Sequence, residues 1–274
     1  MPVKTKSPPQ RGLVTGLQLA QMKAAGEKIV ALTAYDASFA ALCDAAEIDV
    51  VLVGDSLGMV VQGHSSTVPV SVDDMVYHTA AVSRGIKHAL LLADLPFMSY
   101  RDANCALRTA ARLMAEGGAA MVKLEGAGYV LDVIAALAGH DIPVCAHLGL
   151  TPQSVHKLGG YHVQGKTTTT AGKILADAKA VADAGADLLV LECVPAALAK
   201  RITRALAIPT IGIGAGIHCD GQVLVSYDML GITPGKRPRF SKDFLAGSGS
   251  IPAAMRAYAD AVRRGEFPAA EHTF

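Results

Sequence analysis

Short apolar runs rich in β-branched residues recur eight times along the chain, at 29–34, 50–54, 89–94, 121–125, 144–148, 188–193, 210–214 and 223–226. A strand wetted on one face alternates apolar and polar side chains, whereas near-continuous runs of this length fit parallel strands covered on both faces. The segments between them carry the helical period instead. Ile174, Leu175, Ala178, Val181 and Ala182 fall on one stripe, and Ala106, Ala110, Leu113 and Met114 on another. Pro195 opens a third segment where its missing N–H costs nothing, with Leu198, Ile202 and Leu206 on one face. Gly26, Gly85, Gly117, Gly139 and Gly185 each follow a helical stretch and precede a strand, the place for a left-handed helix stop.

Strand, helix and glycine, repeated about eight times, predict a (β/α)8 barrel forming one domain over residues 1–274. Periodicity does not report closure, so an open doubly wound sheet is the alternative. The longest irregular connection is expected from 149 to 170, after the fifth strand, and reads as a lid. It contains Gly159-Gly160-Tyr161 and four consecutive threonines at 167–170. A last helix is expected near 251–264. Residues 1–12, basic and proline-containing, read as a mobile arm or a contact with a neighbouring subunit.

Composition narrows the function classes. A chain of 274 residues, 51% hydrophobic and 18% charged, can bury a substantial core and is not disordered. Lys and Arg (25) balance Asp and Glu (24), so nothing in the overall charge invites nucleic acid or an anionic membrane. The basic run 236–239 is short and reads as a solvated loop. No apolar stretch reaches membrane-span length, and the N-terminus lacks the apolar core of a secretory signal. The cysteines at 43, 105, 145, 193 and 219 form no C-x-x-C pair, which argues against a zinc ribbon or redox dithiol. A soluble protein of a reducing cytoplasm is expected.

In a barrel the carboxyl ends of the strands form the active-site face, and here those ends are heavily loaded. The second run ends in Asp55-Ser56, the third at Asp94, the fourth holds Lys123 and Glu125, the fifth His147 and the sixth Glu192. Burying six ionisable groups demands mutual pairing, a metal or a charged ligand. Taken singly, each has a plainer role. Asp55 or Ser56 could cap a helix, Asp94 could serve a turn, Lys123 could pair with Glu125, and His147 could be a hydrogen-bonded core histidine. Glu192, inside Leu-Leu-Val-Leu-Glu-Cys-Val, has no such role. As a set, Asp55, Asp94 and Glu125 are oxygen donors suited to a hard cation, Mg²⁺ first, with room for one of the three to act through water. Lys123 beside it makes a pocket for a small carboxylate, and Glu192 reads as general base for a carbon acid. The run Gly212-Ile-Gly214-Ala-Gly216 is a tight turn or a phosphate loop, the former preferred because no Walker lysine follows. Carboxylate spacing leaves a glycosidase open, although a chain without Trp lacks the usual sugar platform.

These residues resemble the ketopantoate hydroxymethyltransferase family. The resemblance rests on Thr33-Ala-Tyr-Asp36, Val53-Gly-Asp-Ser-Leu-Gly-Met59, His78-Thr-Ala-Ala-Val82 and Leu91-Leu-Ala-Asp-Leu-Pro-Phe-Met98. It continues through Met121-Val-Lys-Leu-Glu-Gly126, His147-Leu-Gly-Leu-Thr-Pro-Gln-Ser154, Gly159-Gly-Tyr161, Leu189-Val-Leu-Glu-Cys-Val-Pro195 and Ile211-Gly-Ile-Gly-Ala-Gly216. The likeness runs from about residue 16 to 244, departing at 167–170, where the family is expected to carry more charge. It implies a barrel of the phosphoenolpyruvate/pyruvate type, usually a homodecamer, acting in pantothenate and coenzyme A biosynthesis. It also implies one Mg²⁺ per subunit and 5,10-methylenetetrahydrofolate as co-substrate. By the same resemblance, Asp55 and Asp94 contact metal and substrate, Glu125 is a further metal-site carboxylate, Ser56 and Lys123 bind the 2-oxoacid, and Glu192 accepts the proton. The role of His147 stays open. The implied reaction deprotonates 3-methyl-2-oxobutanoate to a Mg-stabilised enolate that takes up the one-carbon unit. Two readings compete: a lyase or mutase on the same barrel, which would want a catalytic cysteine or phosphate site, and a catalytically silent assembly barrel.

Overall fold

The structure, a computed structural model, describes residues 12–235 and 237–274. The expectation for an arm at 1–12 therefore lies outside the described residues apart from Gly12, as does that for the basic loop at residue 236. Eight strands follow one another: β1 (Ile29–Thr33), β2 (Val50–Val53), β3 (Leu90–Asp94), β4 (Met121–Glu125), β5 (Val144–Gly149), β6 (Leu188–Glu192), β7 (Thr210–Ile213) and β8 (Gly221–Leu224). All pair in parallel in chain order, and β8 pairs with β1, so the barrel is closed and the open-sheet alternative falls. Helix α1 (Gly16–Ala25) precedes β1 and α2 (Ala37–Ala45) follows it. Then come α3 (Leu57–Val60) and α4 (Val72–Ser83) after β2, α5 (Ala103–Ala115) after β3, and α6 (Val130–Ala138) after β4. After β5 lie α7 (Val155–Leu158) and α8 (Thr168–Asp183), after β6 α9 (Ala196–Ala205), and after β8 α10 (Ser226–Met229) and α11 (Ile251–Arg263).

Strand parity organises the core. Leu90 and Leu92 of β3, Met121 of β4, Cys145 of β5, and Leu188 and Val190 of β6 belong to one apolar cluster inside the barrel. Their neighbours of opposite parity, such as Leu91, Val122, Ala146 and Leu189, join the larger cluster that includes the buried faces of the helices. Val14, Leu19 and the flanking Met22 extend the inner cluster, so α1 closes its amino-terminal end. Lys23 ties that plug down, its Nζ donating at 2.9 Å to Thr203 O, Ile208 O and Asp220 Oδ2.

Four expectations need correction. No helix separates β7 from β8; residues 214–220 form only a turn. Gly214 and Gly216 make it with φ of 60° and 79°, as the tight-turn reading of the glycine run requires. The last strand also lies two residues earlier than the apolar run suggests, because pairing with β1 sets its register (Ile29↔Gly221) and Ser226 leaves the sheet to donate its N–H to Thr33 Oγ1 at 2.9 Å. Only Gly26 (φ 72°) and Gly185 (φ 107°) are left-handed stops, while Gly139 is right-handed. At Gly117 the requirement is space, since a Cβ would meet Leu113 O at 2.5 Å, and its neighbour Gly118 takes the positive φ of 80°. The connection 149–170 is less irregular than expected: it holds a 3-10 turn (Pro152–Ser154) and α7, and Thr167 with Thr170 forms the capping box that starts α8.

Candidate active site

The inward parity that is apolar low in the barrel continues upward into ionisable residues. Two residues beyond Leu92 stands Asp94; beyond Met121, Lys123 and then Glu125; beyond Cys145, His147; beyond Val190, Glu192. Period two puts them all on the inner face at the carboxyl end. Register then chooses partners. Asp94 lies beside Lys123 across β3–β4, and Lys123 Nζ is 2.5 Å from Asp94 Oδ1. Glu125 lies beside His147 across β4–β5, with His147 Nδ1 3.4 Å from Glu125 Oε1. On its other side His147 Nε2 is 3.3 Å from Glu192 Oε2. The simple Lys123–Glu125 pair expected from their shared face is thus replaced by a pair with Asp94, because a neighbouring strand lies closer (about 4.8 Å) than the next residue of like parity on the same strand.

Asp55 enters from the turn after β2. Its backbone N–H donates to Asp94 Oδ2 at 3.0 Å, which is the use Asp94 finds in place of capping its own turn. Gly54 permits this approach, since a Cβ there would stand 2.9 Å from Ser56 Oγ and 3.5 Å from Asp94 Oδ2. Ser56 precedes α3 but makes no side-chain cap; its Oγ lies 3.0 Å from Tyr35 Oη. The position of Glu192 depends on Gly149, whose φ is 97° and whose absent Cβ leaves room for the Glu192 carbonyl. Leu150 N–H donates to that carbonyl at 2.8 Å.

All seven predicted residues, Asp55, Ser56, Asp94, Lys123, Glu125, His147 and Glu192, therefore sit at the same end of the barrel, and the six ionisable ones form one network. Its unforeseen member is Gln153, whose side-chain Nε2 donates to Asp55 Oδ2 at 2.8 Å and whose backbone N–H donates to Glu125 Oε2 at 3.0 Å. Tyr35 and Tyr100 are further polar residues that were not anticipated. None of the three carries charge, so the cost of burial, which exposes the others in the sequence, gives no signal for them. Gln153 and Tyr35 do lie within the motif blocks quoted above.

The electrostatics show an excess of negative charge. Burial works against charge on His147, but the carboxylates of Glu125 and Glu192 outweigh it and hold the imidazole up to about 9. Burial opposes Lys123 too, and Asp94, Glu125 and Asp55 more than offset it, raising its pKa. Asp55 is pushed well above the usual carboxylate range by burial and then by Asp94 and Glu125, against the pull of Lys123 and Gln153. Four carboxylates face one ammonium and one imidazolium, an imbalance that a divalent cation would match. The protein offers Asp94 Oδ1 no aligned hydrogen bond despite the nearby ammonium, and the same holds for both ring nitrogens of His147. Among the described residues no three His, Cys, Asp or Glu side chains converge to cage a metal by themselves. Mg²⁺ commonly takes one or two carboxylates and completes its octahedron with water and substrate, so these donors fit it on those terms. No helix of the described residues is long and apolar enough to cross a membrane.

A family model described as ketopantoate hydroxymethyltransferase matches residues 14–270. A 3-methyl-2-oxobutanoate hydroxymethyltransferase of Alkalilimnicola ehrlichii is 60% identical over 271 residues, covering 98% of each chain. The solved structure of 2,3-dimethylmalate lyase, a PEP mutase/isocitrate lyase superfamily member, has a TM-score of 0.58 at 18% identity over 80% of this chain and 83% of its own. A phosphonopyruvate hydrolase complex with oxalate and Mg²⁺ has a TM-score of 0.60 at 13% identity, over 94% and 93%. At such low identity these two show the fold alone, a closed parallel barrel ringed by helices. The family match spans every strand and every ionisable residue of the network, so the chain belongs to the ketopantoate hydroxymethyltransferase family and is a hydroxymethyltransferase.

Proposed function

We propose that the enzyme transfers a hydroxymethyl group from 5,10-methylenetetrahydrofolate to C3 of 3-methyl-2-oxobutanoate, giving 2-dehydropantoate (ketopantoate) for pantothenate biosynthesis. The name of the Alkalilimnicola relative supplies the acceptor and the group transferred. The observation that carries the mechanism is the position of Glu192. Its side chain is 14% exposed, against 3% for Asp94 and Glu125, so it alone of these inward carboxylates faces the open end of the barrel.

Lys123 and Ser56 bind the carboxylate and keto oxygens of the 2-oxoacid and fix its orientation, which contributes to rate as well as affinity. Asp55 and Asp94 are the residues to hold Mg²⁺, with Glu125, already engaged by His147 and Gln153 on its two oxygens, behind them. Bound there, the ion supplies Lewis-acid polarisation of the keto group. Glu192 then removes the C3 proton, its carboxylate held by His147, and the negative charge that spreads onto the substrate oxygen faces the Lys123 ammonium. C3 forms its new bond to the one-carbon unit, whose two C–N bonds to the folate break. A water supplies the hydroxyl oxygen, and the proton taken from C3 together with one from that water goes to the two folate nitrogens, leaving tetrahydrofolate and the hydroxymethyl product. A cytoplasmic homodecamer is the expected assembly, to be checked by sedimentation.

Proton exchange tests the reading. With 3-methyl-2-oxobutanoate and Mg²⁺ in D₂O, loss of the C3 proton followed by NMR should be enzyme-dependent and should slow by about 10²–10⁴-fold in Glu192→Gln. A variant exchanging at the wild-type rate rejects Glu192 as the base. Asp55→Ala should weaken Mg²⁺-dependent substrate binding, and an unchanged calorimetric affinity would remove Asp55 from the site.

A further inference from the structure

Gln153 lies in the 3-10 turn after β5, is 5% exposed, and takes no part in the chemistry above. Its side chain is nonetheless held from three sides. Nε2 donates to Asp55 Oδ2 at 2.8 Å and to Leu95 O at 3.0 Å, and Oε1 accepts from Tyr100 Oη at 2.6 Å. The backbone N–H donates to Glu125 Oε2 at 3.0 Å. One uncharged residue therefore grips two carboxylates of the network at once. Its amide can face only one way: turned over, Oε1 would meet a carboxylate and a carbonyl, both acceptors. Tyr100, also 5% exposed, supplies the donor that fixes this orientation, and burial, with Glu125 nearby, keeps its hydroxyl protonated. Glutamate here would set another carboxylate against Asp55. An apolar side chain of the same length would leave Asp55 Oδ2 and the Tyr100 hydroxyl buried without partners, a costly condition.

We propose that Gln153, oriented by Tyr100, is a positioning residue that aims the Asp55 carboxylate at the cation and substrate, while its backbone N–H does the same for Glu125. The inference rests on the reading of Asp55 and Glu125 given above and adds what holds them. Outer partners of this kind are worth roughly 10–100-fold in metal affinity. Calorimetric titration of MgCl₂ in the presence of 3-methyl-2-oxobutanoate tests it, with thermal melting of each variant alongside. Gln153→Met should raise the Mg²⁺ half-saturation by about 10–100-fold. Tyr100→Phe should raise it by about 3–10-fold, the scale of one hydrogen bond. The double variant should be no worse than Gln153→Met, because Tyr100 acts through Gln153.

A purely structural role would lower the melting temperature and leave the Mg²⁺ half-saturation in place, and that result overturns the proposal. So does a double variant whose losses add. Should Gln153→Met fail to fold, Tyr100→Phe decides: a shift of about threefold or more supports the proposal, and an unmoved midpoint ends it. A wild-type protein that binds the 2-oxoacid without regard to Mg²⁺ would defeat the underlying reading of Asp55, an outcome distinct from wild-type dependence that the variants retain.

Discussion

Gly149 shows how much of this site hangs on single backbone positions. It is the last residue of β5, pairs with Glu192 in register, and combines a φ of 97° with a Cβ position blocked by the Glu192 carbonyl. Gly149→Ala should cost about 1–3 kcal/mol of unfolding free energy and slow C3 proton exchange by displacing Glu192; urea midpoints and NMR exchange read the two effects. His147 governs a different dependence. Its pKa in the fold is about 9 against about 6.5 unfolded. Protonation of this ring therefore stabilises the metal-free protein fully below about pH 6.5, and that contribution is lost as pH rises through about 9. Urea unfolding of metal-free wild type should weaken across that window by on the order of 3 kcal/mol. His147→Gln should show a flatter profile, and matching profiles would mean that the imidazole is neutral throughout.

At the scale of elements, the start of α8 explains a feature that looked anomalous as sequence. Four threonines are poor helix formers, yet Thr167 and Thr170 exchange a capping box, and α8 runs on from there for 16 residues. Thr167→Ala should lower stability by about 0.5–2 kcal/mol. Gly172, inside the same helix, is exposed with open space at its Cβ position, so Gly172→Ala should raise stability by about 0.5–1 kcal/mol. Thermal melts of the pair check the opposite signs, and neither change should alter proton exchange, because α8 contributes no residue to the network. The strands teach the complementary lesson. β3, β4, β5 and β6 each carry apolar residues low and an ionisable residue high on the inward face, so the site is built by extending the core, with no separate loop required to bring in Asp94, Lys123, Glu125, His147 or Glu192.

Across the barrel as a unit, charge and stability are linked. Asp55 crowded by Asp94 and Glu125 is a cost of folding that a bound divalent cation would relieve. Mg²⁺ should therefore raise the melting temperature, corresponding to about 2.7 kcal/mol at a hundred times its Kd. EDTA should reverse the gain, and Asp55→Ala should abolish it. A melting temperature indifferent to Mg²⁺ in the wild type would place the ion elsewhere or make it dispensable.

Much of this protein was legible along the chain. The eight strands are visible because strands covered on both faces must be apolar throughout, and a charge that interrupts such a run advertises itself. For that reason Asp94, Lys123, Glu125, His147 and Glu192 could be singled out before any fold was in hand. Partner choice was not legible: Lys123 joins Asp94 and His147 lies between two carboxylates because strand register places neighbours side by side, and register is a property of paired chains. Gln153 and Tyr100 were hidden for a related reason, since a neutral side chain reveals its importance only through the atoms it meets. The missing helix between β7 and β8 and the early start of β8 follow the same rule. Local composition governs which segments are strands and which residues are expensive to bury, while closure of the barrel governs which of them touch.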